Sequence, residues 1–348
     1  MNGSDIELTS PLAPNGLIVK TVASNAFDGS QDMAYTKYCA EELSLLRKGI
    51  AQETWQSQAM AVKTCSDLNT VMRLIQQSPN LSRPEIRREL SNTFATATVT
   101  GLNSSINLAL RLWLMMNFQD TRFETLRHQA SCIEWNESST LHARVAELFP
   151  KARWDVSAAT SRLTPHFTAV FLTQVCGLQI GWTTSICDHL RLDRYSGTLM
   201  IFPYKSHLSH LLASDQVNVK CPIPPDVLRE TLLSLDLLFP IWDHATSRLL
   251  EDHKQSFHDI GPFSAQSSTL TLGDFDYWRD RLLELREVLD APPVSWAQLY
   301  RDRRNPQQFW TFWIALFILA LTLLSSIASF VQAWASVKAL KMAQHPNA

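Results

Sequence analysis

The chain has 348 residues, of which 45% are hydrophobic and 18% are charged, and its formal net charge is -2. This length and composition allow one large domain or two modest domains with a buried core. The balanced charge lacks the basic surplus of nucleic-acid-binding proteins, so we expect no nucleic-acid partner. The six cysteines contain no Cys-x-x-Cys pair, a usage that favours buried thiols over a disulfide framework or a zinc site.

The N-terminal third predicts two long helices. No proline interrupts a helix-compatible pattern between Asp32 and Gln77, and Pro79 ends it. The stretch Ser82–Glu85 has the Ser-x-x-Glu spacing of a capping box, with a proline in the first turn. We expect a second helix to begin there and to run to about Asn117.

The middle of the chain predicts a small β element packed against helices. Leu178, Ile180 and Trp182 alternate with other residues and so share one face of a strand, while Thr198–Phe202 is rich in β-forming residues. The intervening Thr183–Leu192 stretch predicts a short helix capped by Thr or Ser. We therefore expect a two-stranded element near residues 178–202.

The following segments predict further helices. Pro224 and Pro225 mark the start of one helix, and Pro240 marks its end. Past a loop, apolar residues recur at alternating spacings of three and four, a stripe that predicts docking of a juxtamembrane helix on the body. The residues of this stripe are Phe275, Trp278, Leu282, Leu285 and Leu289.

An uncharged segment, Phe309–Val337, lies near the C-terminus. A helix needs roughly 20 apolar residues to cross the hydrocarbon layer, and Phe312–Val331 supplies that length. Its twelve Leu, Ile, Phe and Val residues contribute roughly -4 to -7 kcal/mol to insertion, at about -0.3 to -0.6 kcal/mol each. The segment predicts a transmembrane helix, with a fully buried core helix as the alternative.

The flanks of this segment are typical of a membrane anchor. The flanking residues are Arg301, Arg303, Arg304, Trp310, Trp313, Trp334, Lys338 and Lys341. Indole rings favour the headgroup zone, arginines contribute about 1 kcal/mol each near anionic lipids, and the small charge bias places the preceding body in the cytosol. Because few residues follow Val337, we expect insertion as a tail anchor. The span favours the endoplasmic reticulum or plasma membrane.

Three segments carry a resemblance to a known group of proteins. These are "LRETLLSLDLLFP", "DFDYWRDRLLELREVLD" and "RDRRNPQQFWTFWIALFILALTLL", which stand in this order in the chain. They resemble segments of a family of uncharacterised ascomycete fungal proteins, and the resemblance extends over Asn103–Val337. The resemblance implies a single-span, C-terminally anchored protein of unknown activity, and it carries over no catalytic residues.

Four polar residues in the middle of the chain are the only candidates for chemistry. Asp188 and His189 are adjacent and are candidates for acid–base work, while His207 and His210 share a helix face and could bind a metal with Asp188. The alternative for Asp188 and His189 is a capping or surface role. The alternative for His207 and His210 is a half-exposed amphipathic helix whose imidazoles bond to backbone or water. Glycine-rich phosphate loops and hydrolase motifs are absent from the sequence, so we expect no cofactor and assign no catalytic or metal-binding residues.

The sequence thus predicts a mainly α protein: a cytosolic helical body with one small two-stranded β element, followed by one transmembrane helix. Its expected partners are the lipid bilayer and other proteins, in the role of a non-enzymatic scaffold. The alternative is a membrane-tethered enzyme with a site near Asp188, His189 and His207. The expected layout is a flexible tail (1–30), the body (31–256), a loop (257–273), juxtamembrane helices (274–304), the span (309–337) and a short tail (338–348).

Overall fold

The computed structural model describes residues 33–51, 60–118, 132–153, 162–164, 166–215, 220–256, 261–263, 270–291 and 306–344. The predicted tail (1–30) and the flanking residues Arg301, Arg303 and Arg304 lie outside these ranges. The chain divides into two compact units. The first, called the body below, comprises Met1–Thr173 and Gly177–Asp290, and the second comprises Gln174–Cys176 and Ala291–Ala348.

The described residues are mainly helical, as the sequence predicts, and they include a long apolar helix near the C-terminus. Two single 3-10 turns, Ile186–Asp188 and Leu272–Asp274, accompany the α-helices. The α-helices, in chain order, are α1 Met33–Ala51, α2 Cys65–Gln77, α3 Arg83–Thr93, α4 Val99–Leu114, α5 Leu141–Leu148, α6 Ala169–Gln174, α7 Lys205–Asp215, α8 Pro225–Leu238, α9 His244–Asp252, α10 Arg279–Asp290 and α11 Pro306–Gln344.

Helix α4 lies at the centre of the N-terminal part of the body, where α2 and α3 pack against it. Most of its residues are buried, including Leu102, Ile106 and Leu110. A helix with most of its side chains buried needs neighbours that cover several of its faces. The α4 helix therefore forms the core of this part of the body.

The prediction of one helix from Ser82 to about Asn117 is wrong, because the chain breaks between α3 and α4. The Thr98 hydroxyl accepts a hydrogen bond from the Gly101 N–H at 3.1 Å and so starts a new helix. The stretch from Asp32 to Gln77 is likewise not one helix. Residues 60–64 are non-helical, and Thr64 begins α2 with a capping box closed by Asp67.

The sheet has three strands rather than the predicted two. Strand β1 (Gln179–Trp182) pairs in parallel with β3 (Thr198–Ile201), and the two-residue strand β2 (Leu192–Asp193) pairs antiparallel with the other edge of β3. The predicted short helix between β1 and β3 is a single 3-10 turn, Ile186–Asp188. A parallel β1–β3 pair requires a crossover, and the segment that carries this turn provides it.

Helices α8 and α10 form where the sequence predicts helices. Helix α8 begins at Pro225 with Pro224 as its N-cap, and it ends at Leu238, two residues before Pro240. The whole apolar stripe around α10, from Phe275 to Leu289, is at most 3% exposed. The stripe is buried within the body, so the predicted docking of this helix is observed.

Candidate functional site: the C-terminal helix and the buried polar groups

Helix α11 is the one described helix that is long and apolar enough to cross a membrane. The qualifying segment, Phe309–Lys341, has 33 residues, and it contains an 18-residue stretch with a mean hydropathy of 2.5 of which 0% is buried. At 1.5 Å per residue it measures about 50 Å, against a hydrocarbon layer of about 30 Å. Its large apolar side chains face outward, as the example of Phe330 at 74% exposure shows.

The tryptophans of α11 are spaced to match a bilayer. The helical rise separates Trp313 from Trp334 by roughly 32 Å, close to the thickness of the hydrocarbon layer. The ammonium group of Lys338 lies 5.2 Å from the centre of the Trp334 ring, a cation–π contact at the C-terminal end. Indole rings and lysines at such positions favour the interface between lipid and water.

The histidine proposed for acid–base work, His189, is a buried structural group. Its Nδ1 accepts the backbone N–H of Phe202 at 3.2 Å, so Nε2 carries the ring proton and donates it to the Ser234 hydroxyl at 2.8 Å. That hydroxyl in turn donates to the Thr231 carbonyl at 2.8 Å. Both ring nitrogens are therefore occupied, and neither can take a proton from a substrate.

Electrostatics around His189 agree with this assignment. Burial and the nearby Arg281 guanidinium lower the pKa of His189 to about 3, so the ring is neutral near pH 7. Burial also raises the pKa of the neighbouring Cys187 thiol to about 12, which keeps it protonated and poorly nucleophilic. Asp188 is fully buried and forms an ion pair with Arg191 at 2.7 Å.

The second candidate, His207, caps the C-terminal end of α4. Its Nε2 donates to the Trp113 carbonyl at 3.0 Å, and its ring stacks on Tyr35 with centroids 4.3 Å apart. The Tyr35 and Tyr38 hydroxyls donate to the neighbouring carbonyls of Leu112 and Arg111 at 2.6 and 3.0 Å. The last turn of a helix leaves carbonyls without intrahelical partners. Side chains of α1 and α7 bond to three carbonyls of this turn, and the Arg111 carbonyl also accepts the Met115 N–H.

Among the described residues, no hydrogen bond links the rings of His189 and His207. Their hydrogen-bond partners are different, since His189 bonds to Ser234 and Phe202 whereas His207 bonds to the last turn of α4. Within the described ranges, no group of three or more His, Cys, Asp or Glu side chains is placed to hold a metal ion. The enzyme alternative requires Asp188, His189 and His207 to lie within hydrogen-bonding distance of one another. The hydrogen bonds of the two histidine rings do not show such a cluster.

A buried ion pair connects α7, α8 and the short segment 261–263. The Lys205 ammonium contacts the Asp236 carboxylate at 2.6 Å, with the two side chains 3% and 5% exposed. The same ammonium donates to the Gly261 carbonyl, and the other carboxylate oxygen accepts the Phe263 N–H at 2.6 Å. A charge pair buried to this extent depends on both partners, because each charge alone would be desolvated without compensation.

The sequence analysis missed the group that holds the start of α10. The Glu230 carboxylate accepts the backbone N–H groups of Asp276, Tyr277 and Trp278 at 2.6 to 3.0 Å. Burial raises the pKa of Glu230, and the three N–H donors oppose that shift. The Trp278 indole also donates to the Thr231 hydroxyl at 2.9 Å. A glutamate among apolar residues of a predicted helix was the available signal, since a buried carboxylate requires partners.

No protein-family model, curated protein or solved structure matches the chain. The resemblance to the ascomycete family stays a prediction from the sequence segments that carry it.

Proposed function

We propose that the protein is a tail-anchored, single-pass membrane protein that presents its helical body to the cytosol as an interaction module. The observation that carries this proposal is the 33-residue segment Phe309–Lys341 of α11, which is predominantly apolar and contains no buried residue. Exposed apolar surface of this extent is unfavourable in water and favourable among lipid tails. The rings of His189 and His207 make structural hydrogen bonds, and these contacts favour an interaction role over chemistry.

Charged substitutions in the middle of α11 test the anchor. A lysine at the centre of a span costs about 3 kcal/mol and also removes the contribution of the leucine it replaces. The double variant Leu319→Lys/Leu323→Lys should therefore cancel the insertion energy of roughly -4 to -7 kcal/mol. We expect carbonate washing of membranes to release this variant but to retain the wild type and the control Ala339→Lys. Equal retention of both variants would show that another attachment holds the protein.

Glycosylation sequons in the body can report on which side of the membrane the body lies. The sequons at Asn80 and Asn136 lie on exposed surface of the body, where an oligosaccharyltransferase could reach them. With a cytosolic body these sequons stay unmodified, whereas a sequon appended after Ala348 becomes glycosylated in endoplasmic reticulum membranes. A shift in gel mobility caused by glycans on the body, and lost in the Asn80→Gln and Asn136→Gln variants, would show that the orientation is the opposite of the one proposed.

The interaction role is supported by apolar side chains on the surface of the body. Ile241 and Trp242, in the turn between α8 and α9, are 39% and 72% exposed. Proximity labelling in intact membranes should lose specific neighbours in Trp242→Ala and keep them in the control Val99→Ala, which removes another exposed apolar group. Identical neighbour sets for the two variants would remove this surface from the proposal.

A further inference from the structure

The uncharged polar side chains of the span lie on one face of α11. At 100° per residue, all those between Phe312 and Val337 fall within about one third of the helix circumference. They are Thr322, Ser325, Ser326, Ser329, Gln332 and Ser336. The remaining circumference carries mostly leucine, isoleucine and aromatic residues. An anchor that only had to dissolve in lipid would have no need of this segregation.

Two of these polar side chains lack a partner in their own helix. The hydroxyls of Thr322, Ser326 and Ser329 donate to carbonyls of the preceding turn at 2.8 to 2.9 Å. The Ser325 hydroxyl and the Gln332 carboxamide make no hydrogen bond within the described residues. Because they are seven residues apart, they lie almost in line along the same face. Polar groups in hydrocarbon must find partners, so this face requires a neighbour.

The depth of Gln332 does not remove this requirement. Helical side chains lean toward the N-terminus of their helix, so this carboxamide extends from near Trp334 toward the middle of the bilayer. Ser325 is close to the midpoint between Trp313 and Trp334, where no headgroup is within reach. Water and headgroups can therefore serve neither group well.

We propose that α11 pairs through this face with α11 of a second copy of the chain, an inference that rests on the proposed membrane anchoring. Two copies inserted in the same direction place Gln332 at the same depth. A carboxamide has both donors and an acceptor, so two of them facing each other across a two-fold axis satisfy one another. The face carries no charge, so it offers no counter-charge to a partner span with an intramembrane acid or base.

The spacing of the face also fits such a pair. Thr322, Ser325, Ser329, Gln332 and Ser336 follow one another at alternating intervals of three and four residues. This repeat of 3.5 keeps the face on the partner in a left-handed crossing of about 20°. Hydroxyl-bearing residues and alanines are small enough for two helix backbones to approach closely in lipid.

Cysteine crosslinking of the full-length protein in membranes tests the pairing. The described cysteines are all outside α11, and the exposed Cys132 is replaced by serine in every variant. Copper phenanthroline should oxidise Ser325→Cys to a disulfide dimer that contains two differently tagged copies of the chain. The matched control Ile327→Cys, on the opposite face, should give little dimer. Adding Gln332→Leu to Ser325→Cys should weaken dimerisation roughly threefold to tenfold, whereas Gln332→Asn should restore most of it.

The outcomes separate this inference from the anchor itself. Equal crosslinking of Ser325→Cys and Ile327→Cys, or a product with a different protein in place of the second copy, would overturn the pairing. Absence of a crosslink in protein that resists carbonate washing would overturn it as well, with the anchor intact. Release of the wild type by carbonate would instead overturn the anchor and the pairing together.

Discussion

Replacing one partner of the buried Lys205–Asp236 pair should lower the unfolding free energy strongly. Replacing both partners should lower it much less. The contact is 2.6 Å long, and both side chains are at most 5% exposed, so solvent screens it weakly. Lys205→Met would leave the carboxylate buried with the Phe263 N–H and without its cation. Removing one partner of a buried pair typically costs about 3 to 5 kcal/mol, so we expect each of Lys205→Met and Asp236→Leu to cost that much in unfolding free energy.

The double variant gives the decisive comparison. Replacing both charges with apolar groups of similar volume is often neutral, so Lys205→Met/Asp236→Leu should lie within about 2 kcal/mol of the wild type. The corresponding coupling energy is several kcal/mol, measured by urea unfolding of the detergent-solubilised chain. Hydrogen exchange supplies a local reading, because only the Asp236 variants remove the acceptor of the Phe263 N–H. Additive losses in the double variant would refute the reasoning that the two charges depend on each other.

Two further predictions concern the pH dependence of stability and the hydrogen bonds from the segment before α10 to Glu230. Burial lowers the pKa of His189 and of His207 to about 3 from 6.5, so the unfolded chain binds more protons at acid pH. Stability should be full above pH 6.5 and should fall toward pH 3 by about 1.4 kcal/mol per pH unit for each histidine; urea midpoints unchanged between pH 7 and 5 would contradict this. Glu230→Gln should cost about 1 to 3 kcal/mol and speed exchange of the amides at 276–278, whereas the control Glu287→Gln, 72% exposed, should do neither.

Local signals made part of the fold predictable. Pro224 and Pro225 fix the start of α8 because their φ angles suit the first turn and their missing N–H groups are not needed there. The apolar stripe around α10 could be recognised in the sequence because its period is that of a helix with one buried face. For α11, composition alone is sufficient to predict a long apolar helix, since apolar residues occur in every turn.

The features that escaped prediction depend on distant residues or on caps inside an apparently continuous pattern. Strand β2 has only two residues, and its pairing with β3 exists because the tertiary fold brings Leu192 beside Leu199. The break before α4 was signalled weakly by Thr98, a cap that a run of small polar residues conceals. The partner of His189 is Ser234, 45 residues away, and not the adjacent Asp188. Adjacent side chains point apart, so sequence proximity was a misleading guide there.

The body and α11 differ in where they place polar and apolar side chains, and this contrast supports the proposed membrane anchor. In the body, apolar side chains such as Leu110 are inside, and the histidines of the core have hydrogen-bond partners on other elements. In α11, apolar side chains are outside, and the hydroxyls of Thr322 and Ser326 turn back to their own helix. The first arrangement minimises free energy in water, and the second does so in hydrocarbon. A chain that combines the two patterns fits the proposed membrane anchor, and on that proposal α11 in water should drive aggregation of the detergent-free protein.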